Sequence, residues 1–243
     1  MLDEDQCYEE FSTDVLGFPV RVVARRDGRP IRPILSGRRA RPVWSYYSLK
    51  CGTGLPCESG NELHALYHAE VSTDVVEYRV QPCTMHFTIG GRVRSYTPDL
   101  EEALSDGRVR ITEVKDRFEA DADPEYSEKL LYAAEYCRAR GQLFRIQDRA
   151  EIELPPLFDT VDVVQSFRRT AVTINDVMRL REHFSGRDVL PLGQARELFG
   201  TAPLGFAKLA AMMVRRIVAI DLTKRLSTET PVQMLRPRMA PAS

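Results

Sequence analysis

Asp99 and Glu113 flank a short turn, Lys115 follows two residues later, and Glu62 lies upstream in a segment of helical spacing. Three carboxylates and a lysine are the groups that metal-assisted hydrolysis of a phosphodiester uses. Closely set carboxylates repel one another unless a cation lies between them. An all-oxygen ligand set favours Mg²⁺, with Mn²⁺ as a substitute, over metals that prefer softer ligands. Such an ion polarises the phosphate, lowers the pKa of its bound water and stabilises the leaving oxygen. A lysine beside it can position or activate that water, or offset charge on the phosphorane. Each residue alone has a plainer reading: Glu113 and Lys115 as a surface ion pair, Pro98-Asp99 as a turn. Their combination is more specific than any member.

Strand arithmetic tests the arrangement. If Ser105-Asp106-Gly107 is a three-residue loop with Gly107 left-handed, Leu104 pairs with Arg108. Asp99 then falls opposite Glu113 on the same face, with Cα atoms about 4.5–5.5 Å apart. A two-residue loop would send the two acids to opposite faces. Lys115 shares the face of Glu113 because side chains alternate along a strand.

The elements that must hold these groups follow from the pattern. Asn61 to about Ala69 is expected to be a helix capped by Ser59 or Asn61. Short β-type runs follow at 77–80, 84–89, 93–96, 100–104 and 109–114, with Gly90-Gly91 and Asp106-Gly107 supplying turns. Residues 125–140 have amphipathic helical spacing ending at Gly141, and 142–146 is a further strand. Residues 1–45 are punctuated by Arg-Pro and Gly-Arg and read as an irregular arm with a short strand at 19–23. After the linker-like Leu154-Pro155-Pro156, helices are expected at 173–184, 191–199 and 203–216, with a terminal hairpin at 218–222 and 231–235. The expected domains are a basic arm at 1–44, an α+β core at 45–153 and a winged-helix-like unit at 165–235.

With 243 residues, 43% hydrophobic and 28% charged, the chain can bury a core and is not expected to be disordered. Its net charge of −1 conceals a strong division. Residues 21–50 carry +8 and residues 161–243 carry +6, whereas the middle of the chain is acidic. An acidic pocket framed by basic stretches suits a phosphate-bearing partner, although two solvated basic surfaces would look the same. No apolar run reaches membrane-spanning length, the acidic N-terminus is unlike a secretory signal, and five scattered cysteines suit a reducing compartment. A cytoplasmic, nucleoid-associated protein is expected. Cys51, Cys57, His64 and His68 hint at zinc, but the Cys–Cys gap is longer than usual and Pro56 stiffens it. Histidines at the surface or core edge are the better reading.

These features resemble the PD-(D/E)XK nucleases, and more closely the TnsA endonuclease family of heteromeric bacterial transposases. The resemblance rests on Tyr47-Ser48-Leu49-Lys50, Glu58-Ser59-Gly60-Asn61-Glu62, the run from Asp74 to Pro82, Tyr96-Thr97-Pro98-Asp99 and Glu113-Val114-Lys115, and covers about residues 45–150. It implies a mixed sheet flanked by helices, with Glu62, Asp99, Glu113 and Lys115 as the catalytic set. The implied metal ligands are Asp99, Glu113, Val114 and Glu62. The implied activity is Mg²⁺-dependent cutting of the 5′ strands at transposon ends in double-stranded DNA. Implied partners are a DDE-type recombinase and an AAA+ ATPase regulator of transposition; no membrane is involved. Gln81 is placed near the site as a phosphate or water contact, or equally as the cap of a turn before Pro82. Two departures are Glu101-Glu102, where an apolar strand is usual, and Gly60-Asn61 ahead of Glu62.

In the C-terminal unit, the helix at 203–216 offers Leu204, Phe206, Leu209, Met212 and Met213 with only Lys208, Arg215 and Arg216 as bases. These three are the expected contacts to DNA or a partner, gripping phosphate more than reading bases. A free-standing nuclease of defence or repair, and a non-catalytic DNA-binding accessory protein, are the alternatives.

Overall fold

A computed structural model describes residues 6–12, 19–32 and 44–235. In chain order the elements are β1 (Cys7–Ser12), β2 (Val20–Arg25), β3 (Trp44–Ser48), β4 (Thr53–Cys57), α1 (Gly60–Val71), β5 (Val75–Val80), β6 (Cys83–Ile89), β7 (Arg92–Tyr96), β8 (Leu100–Leu104) and β9 (Val109–Lys115). They continue with α2 (Pro124–Ala139), β10 (Leu143–Asp148), α3 (Arg149–Ile152), α4 (Leu157–Phe167), α5 (Ile174–His183), β11 (Val189–Pro191), α6 (Leu192–Glu197), α7 (Ala202–Val214), β12 (Val218–Ile220) and β13 (Pro231–Met234). The architecture is α+β. It divides into two compact units: Met1–Leu66 with Asp74–Ile152, and Tyr67–Thr73 with Glu153–Ser243.

The first unit contains two four-stranded sheets and the β3–β4 hairpin. One sheet runs β1-β2-β6-β7; the other runs β10-β9-β8-β5 and is mixed, because β10 pairs parallel to β9 while β8 pairs antiparallel to both its neighbours. Helix α2 begins at an Asp123 cap whose side chain accepts from Tyr126 N at 2.9 Å. Its buried Leu130, Ala133, Tyr136 and Cys137 pack with Val20, Val22, Phe87, Tyr96 and Ile111 into one core. Burying such side chains stabilises by roughly 1.5–3 kcal/mol each for the larger ones.

The short strand expected at 19–23 is present as β2, and the irregular arm around it is corrected for the described residues 6–12 and 19–32. Val20, Val22 and Ala24 are buried at alternate positions, and β2 pairs with β6 through residues 20–24 while β1 pairs with β2. Period-two alternation won over the Arg-Pro and Gly-Arg punctuation.

In the second unit, α4 follows Pro155-Pro156 directly where only a linker was expected; Val161 and Val164 are buried on its inner face. The order then runs helix, strand, helix, helix, strand, strand. The three strands form an antiparallel sheet β11-β13-β12. β11 was missed because three residues are too few to display alternation. Helices α6 and α7 cross so closely that a Cβ on Gly205 would lie 1.9 Å from the Arg196 carbonyl oxygen. Only glycine fits there.

Candidate active site

The hairpin between β8 and β9 fixes the register that the site needs. Gly107 has φ +92°, Gly107 N donates to Leu104 O at 3.0 Å, and Leu104 N donates to Arg108 O at 2.9 Å. This is the three-residue loop, and Leu100 accordingly faces Thr112. Carried one residue beyond the paired strands, this register sets Asp99 against Glu113. Asp99 Oδ2 accepts from Val114 N at 2.7 Å, which clamps its carboxylate against the start of the Glu-Val-Lys segment.

Glu113 is only 3% exposed and is held by three donors. Tyr96 Oη donates to Oε2 at 2.8 Å, Tyr126 Oη donates to Oε1, and Lys115 Nζ lies 2.8 Å from Oε1. Lys115 Nζ also sits over the Tyr126 ring, 4.3 Å from its centroid. Both phenols are pushed upward, by burial first and then by the Glu113 charge, so they remain protonated donors at neutral pH. Burial, followed by repulsion from Glu113, holds the Asp99 carboxyl well above the usual carboxylate range.

Glu62 enters from the first turn of α1. Ser59 Oγ accepts from Glu62 N at 3.1 Å and donates to Glu62 Oε1 at 3.0 Å, while Glu58 N donates to Oε2 at 2.9 Å. Glu62 therefore caps its own helix, close to a capping box. Burial raises its carboxyl, and the charges of Glu58 and Glu113 add to the rise. Asn61, the unusual residue before it, donates from Nδ2 to Asp116 Oδ1 at 3.2 Å, tying the start of α1 to the end of β9.

Glu62, Asp99 and Val114 line one small cavity of about 10 Å³ together with Pro56, Cys57, Ala65, Leu66, Val80 and Leu100. That is room for about one water-sized species. Glu113, Lys115 and Glu62 all lie within electrostatic reach of Asp99. Among the described residues no three His, Cys, Asp or Glu side chains are grouped as a ready metal cage. Glu113 is instead turned onto its tyrosines and lysine. By donor type and charge, however, the set fits a hard cation: hard carboxylate oxygens, with one lysine against three acids.

Gln81 occupies a strained left-handed turn at φ +45°, and its N–H donates to Asp99 O at 3.0 Å. Its Oε1 is buried without a hydrogen-bond partner among the described residues. The backbone turns here, but no hydrogen bond of Oε1 caps the turn among the described residues. The three cations proposed as DNA or partner contacts lie in the second unit, and each has an internal partner. Lys208 Nζ is 2.6 Å from Asp176 Oδ1, Arg215 reaches the carbonyls of Ala211, Arg168 and Thr170, and Arg216 Nε donates to Thr73 O at 2.9 Å. Of the residues that hinted at zinc, Cys57 is buried, Cys51 Sγ reaches Tyr78 O at 3.1 Å and His68 stacks on Phe158.

Sequence reasoning missed Tyr126 and the role of Tyr96. Tyr96 was visible in Tyr-Thr-Pro-Asp at the end of a strand; Tyr126 gave a signal only as an aromatic in the first turn after the Asp123 cap.

No curated protein matches the chain. Residues 72–148 match the family described as TnsA-like endonuclease N terminal, a span that holds Gln81, Asp99, Glu113 and Lys115 but not Glu62. That segment is similar to the N-terminal domain of TnsA-like endonucleases.

Proposed function

We propose that this protein is the metal-dependent DNA endonuclease subunit of a heteromeric transposase, hydrolysing the 5′ strands at transposon ends. The observation that carries the reading is the register of β8 and β9, which sets Asp99 beside the Glu113-Val114-Lys115 segment. The family match supports it, as does the PD-(D/E)XK-like order of a mixed sheet with α1 and α2. Asp99, Glu113 and the Val114 carbonyl would hold Mg²⁺, with Glu62 completing the set. The ion, when bound, supplies charge neutralisation at the phosphate and a more acidic water.

The chain's own residues do the rest. Tyr96 and Tyr126 hold the Glu113 carboxylate, buried and charged, at the site while no cation is bound. Lys115 Nζ, already at Glu113, is placed to donate a hydrogen bond to an attacking water or to a phosphate oxygen. Asp99, locked by Val114 N–H, presents its carboxylate without rotational search. The second unit, whose helix, strand, helix, helix, strand, strand order supports a winged-helix reading, is proposed to engage DNA or protein. A DDE-type recombinase and an AAA+ regulator are the expected partners in such an assembly.

The test is strand cleavage of DNA by the intact protein, with its recombinase partner present, in Mg²⁺. Asp99→Ala and Lys115→Ala should each abolish cleavage while circular dichroism and melting remain native. Unchanged cleavage in both variants would refute the assignment.

A further inference from the structure

Beside the proposed active site lies a much larger opening, a cleft of about 840 Å³ whose walls include Arg25, Arg26, Arg29, Arg32 and Arg79. These arginines are not equivalent. Arg25 makes a two-point contact with Asp27 at 2.9 and 2.6 Å, and Arg79 is paired with Glu101. Both are therefore neutralised within the fold. Arg26, Arg29 and Arg32 are exposed; Arg29 is 3.8 Å from Asp27 and its side chain is 79% exposed, and Arg26 and Arg32 make no ion pair among the described residues. The cleft thus keeps a surplus of guanidinium groups on one short turn.

That turn is built, not loose. Gly28 takes φ +68° and donates to Arg25 O at 3.2 Å, while Asp27 Oδ1 accepts from Arg29 N at 3.1 Å. It is also anchored to the site. Ile31 N donates to Gln81 O at 3.0 Å, and Gln81 N donates to Asp99 O at 3.0 Å. Two backbone hydrogen bonds therefore connect the arginine turn to the acid proposed to hold the metal. Arg32 lies near enough to Tyr126 for its charge to bear on that phenol. A ligand contacting both places would carry negative charge outside the acidic pocket and a reactive phosphate within it.

We propose that the Arg26–Arg32 turn is a phosphate clamp for double-stranded DNA, holding the backbone next to the bond being cut, with Arg29 and Arg32 as its principal contacts. Forked, permanently charged donors suit phosphate oxygens. Contacts of this kind position the duplex without reading its sequence. The proposal rests on the nuclease reading, and one design separates the two.

The experiment measures binding of a short duplex of arbitrary sequence by the intact protein across about 50–200 mM salt, alongside cleavage. Arg29→Ala with Arg32→Ala should weaken binding at least tenfold and reduce the salt slope by about 2, the share of two phosphate contacts. Arg29→Lys with Arg32→Lys should restore most of the slope, which a merely misfolded variant would not do. Asp99→Ala should bind with the wild-type slope yet fail to cut. Unchanged affinity and slope in the alanine variant would overturn the clamp while leaving the nuclease reading intact if Asp99→Ala is inert. Cleavage surviving in Asp99→Ala, with the slope reduced in the alanine variant, would sink the nuclease reading and keep the clamp.

Discussion

Glu102 and Glu113 sit on the same pair of strands and are almost equally buried, at 1% and 3% exposure, yet their surroundings are opposite. Glu102 receives Arg110 at 2.6 and 2.7 Å, Thr112 Oγ1 at 3.1 Å and Arg145 at 3.4 Å. Two guanidinium groups match one carboxylate, and Arg145 Nε in turn donates to Thr112 Oγ1 at 3.0 Å. Glu113 is held chiefly by neutral phenols and one lysine, with Asp99 and Glu62 nearby. The first cluster is closed: its buried carboxylate is fully taken up by guanidinium and hydroxyl donors, with no excess of negative charge. The second keeps a surplus of negative charge in a partly desolvated place, an arrangement that stability alone does not favour. Alternation along β8 and β9 separates them, since Glu102 and Arg110 share one face while Asp99, Glu113 and Lys115 share the other. Surplus negative charge, more than burial, distinguishes the face proposed to carry the site.

The contrast can be broken from either end. Glu113→Gln should have the largest effect on activity, lowering the cleavage rate by about a hundredfold or more. Stability should change little, because one tyrosine can still donate to the amide oxygen while the other hydroxyl turns to accept from the amide NH2; thermal melting checks this. Glu102→Gln should do the reverse, destabilising the fold by about 3 kcal/mol by leaving guanidinium charge unmatched. Its specific activity per folded molecule should remain near wild type, measured below its lowered Tm.

Asp99→Asn is expected to give a smaller shift of the opposite sign. The amide oxygen still accepts from Val114 N–H, while the repulsion from Glu113 disappears, so Tm at neutral pH should rise slightly. An Asp whose folded pKa is raised costs stability when ionised, and protonation recovers it as pH falls. A lower Tm for Asp99→Asn would show that the acidic cluster is compensated after all.

The smallest effect concerns a balanced acid in the second unit. Burial pushes the Asp176 carboxyl up, but hydrogen bonds from Lys208 and from the backbone and hydroxyl of Thr173 prevail and lower it to about 2. Because the folded value is depressed, the stabilisation is present above the ordinary carboxylate pKa of about 3.9 and is lost as pH falls through about 2. Lys208→Met should therefore lower Tm at pH 7, with the difference from wild type shrinking between those two values. Thr173→Ala, which removes the capping box of α5, should cost about 1 kcal/mol.

The parts of the site that were legible in the sequence are those governed by local rules. Asp106-Gly107 and strict alternation narrowed the register of Asp99 against Glu113 to two loop lengths, between which the structure decides, and Ser59 three residues before Glu62 announces the start of α1. Tyr126 was not legible, because its contact depends on how α2 is rotated over the sheet, a matter of long-range packing. Glu101 and Glu102 looked like departures from an apolar strand; their partners Arg79, Arg110 and Arg145 come from three other strands. Lys208, Arg215 and Arg216 drew notice for their charge. The sequence could not tell that Arg215 would reach back to the Ala211 carbonyl at the end of α7 at 2.7 Å, or that Asp176 would lie beside Lys208.

The most direct test of the surplus-charge account is a crystal of the intact protein soaked in Mn²⁺ and examined by anomalous scattering. The account predicts a peak bound by Asp99 and Glu113 carboxylates, with Glu113 released from at least one of its tyrosines. A native crystal that takes up no ion there, with Glu113 still held by Tyr96, Tyr126 and Lys115, would contradict it.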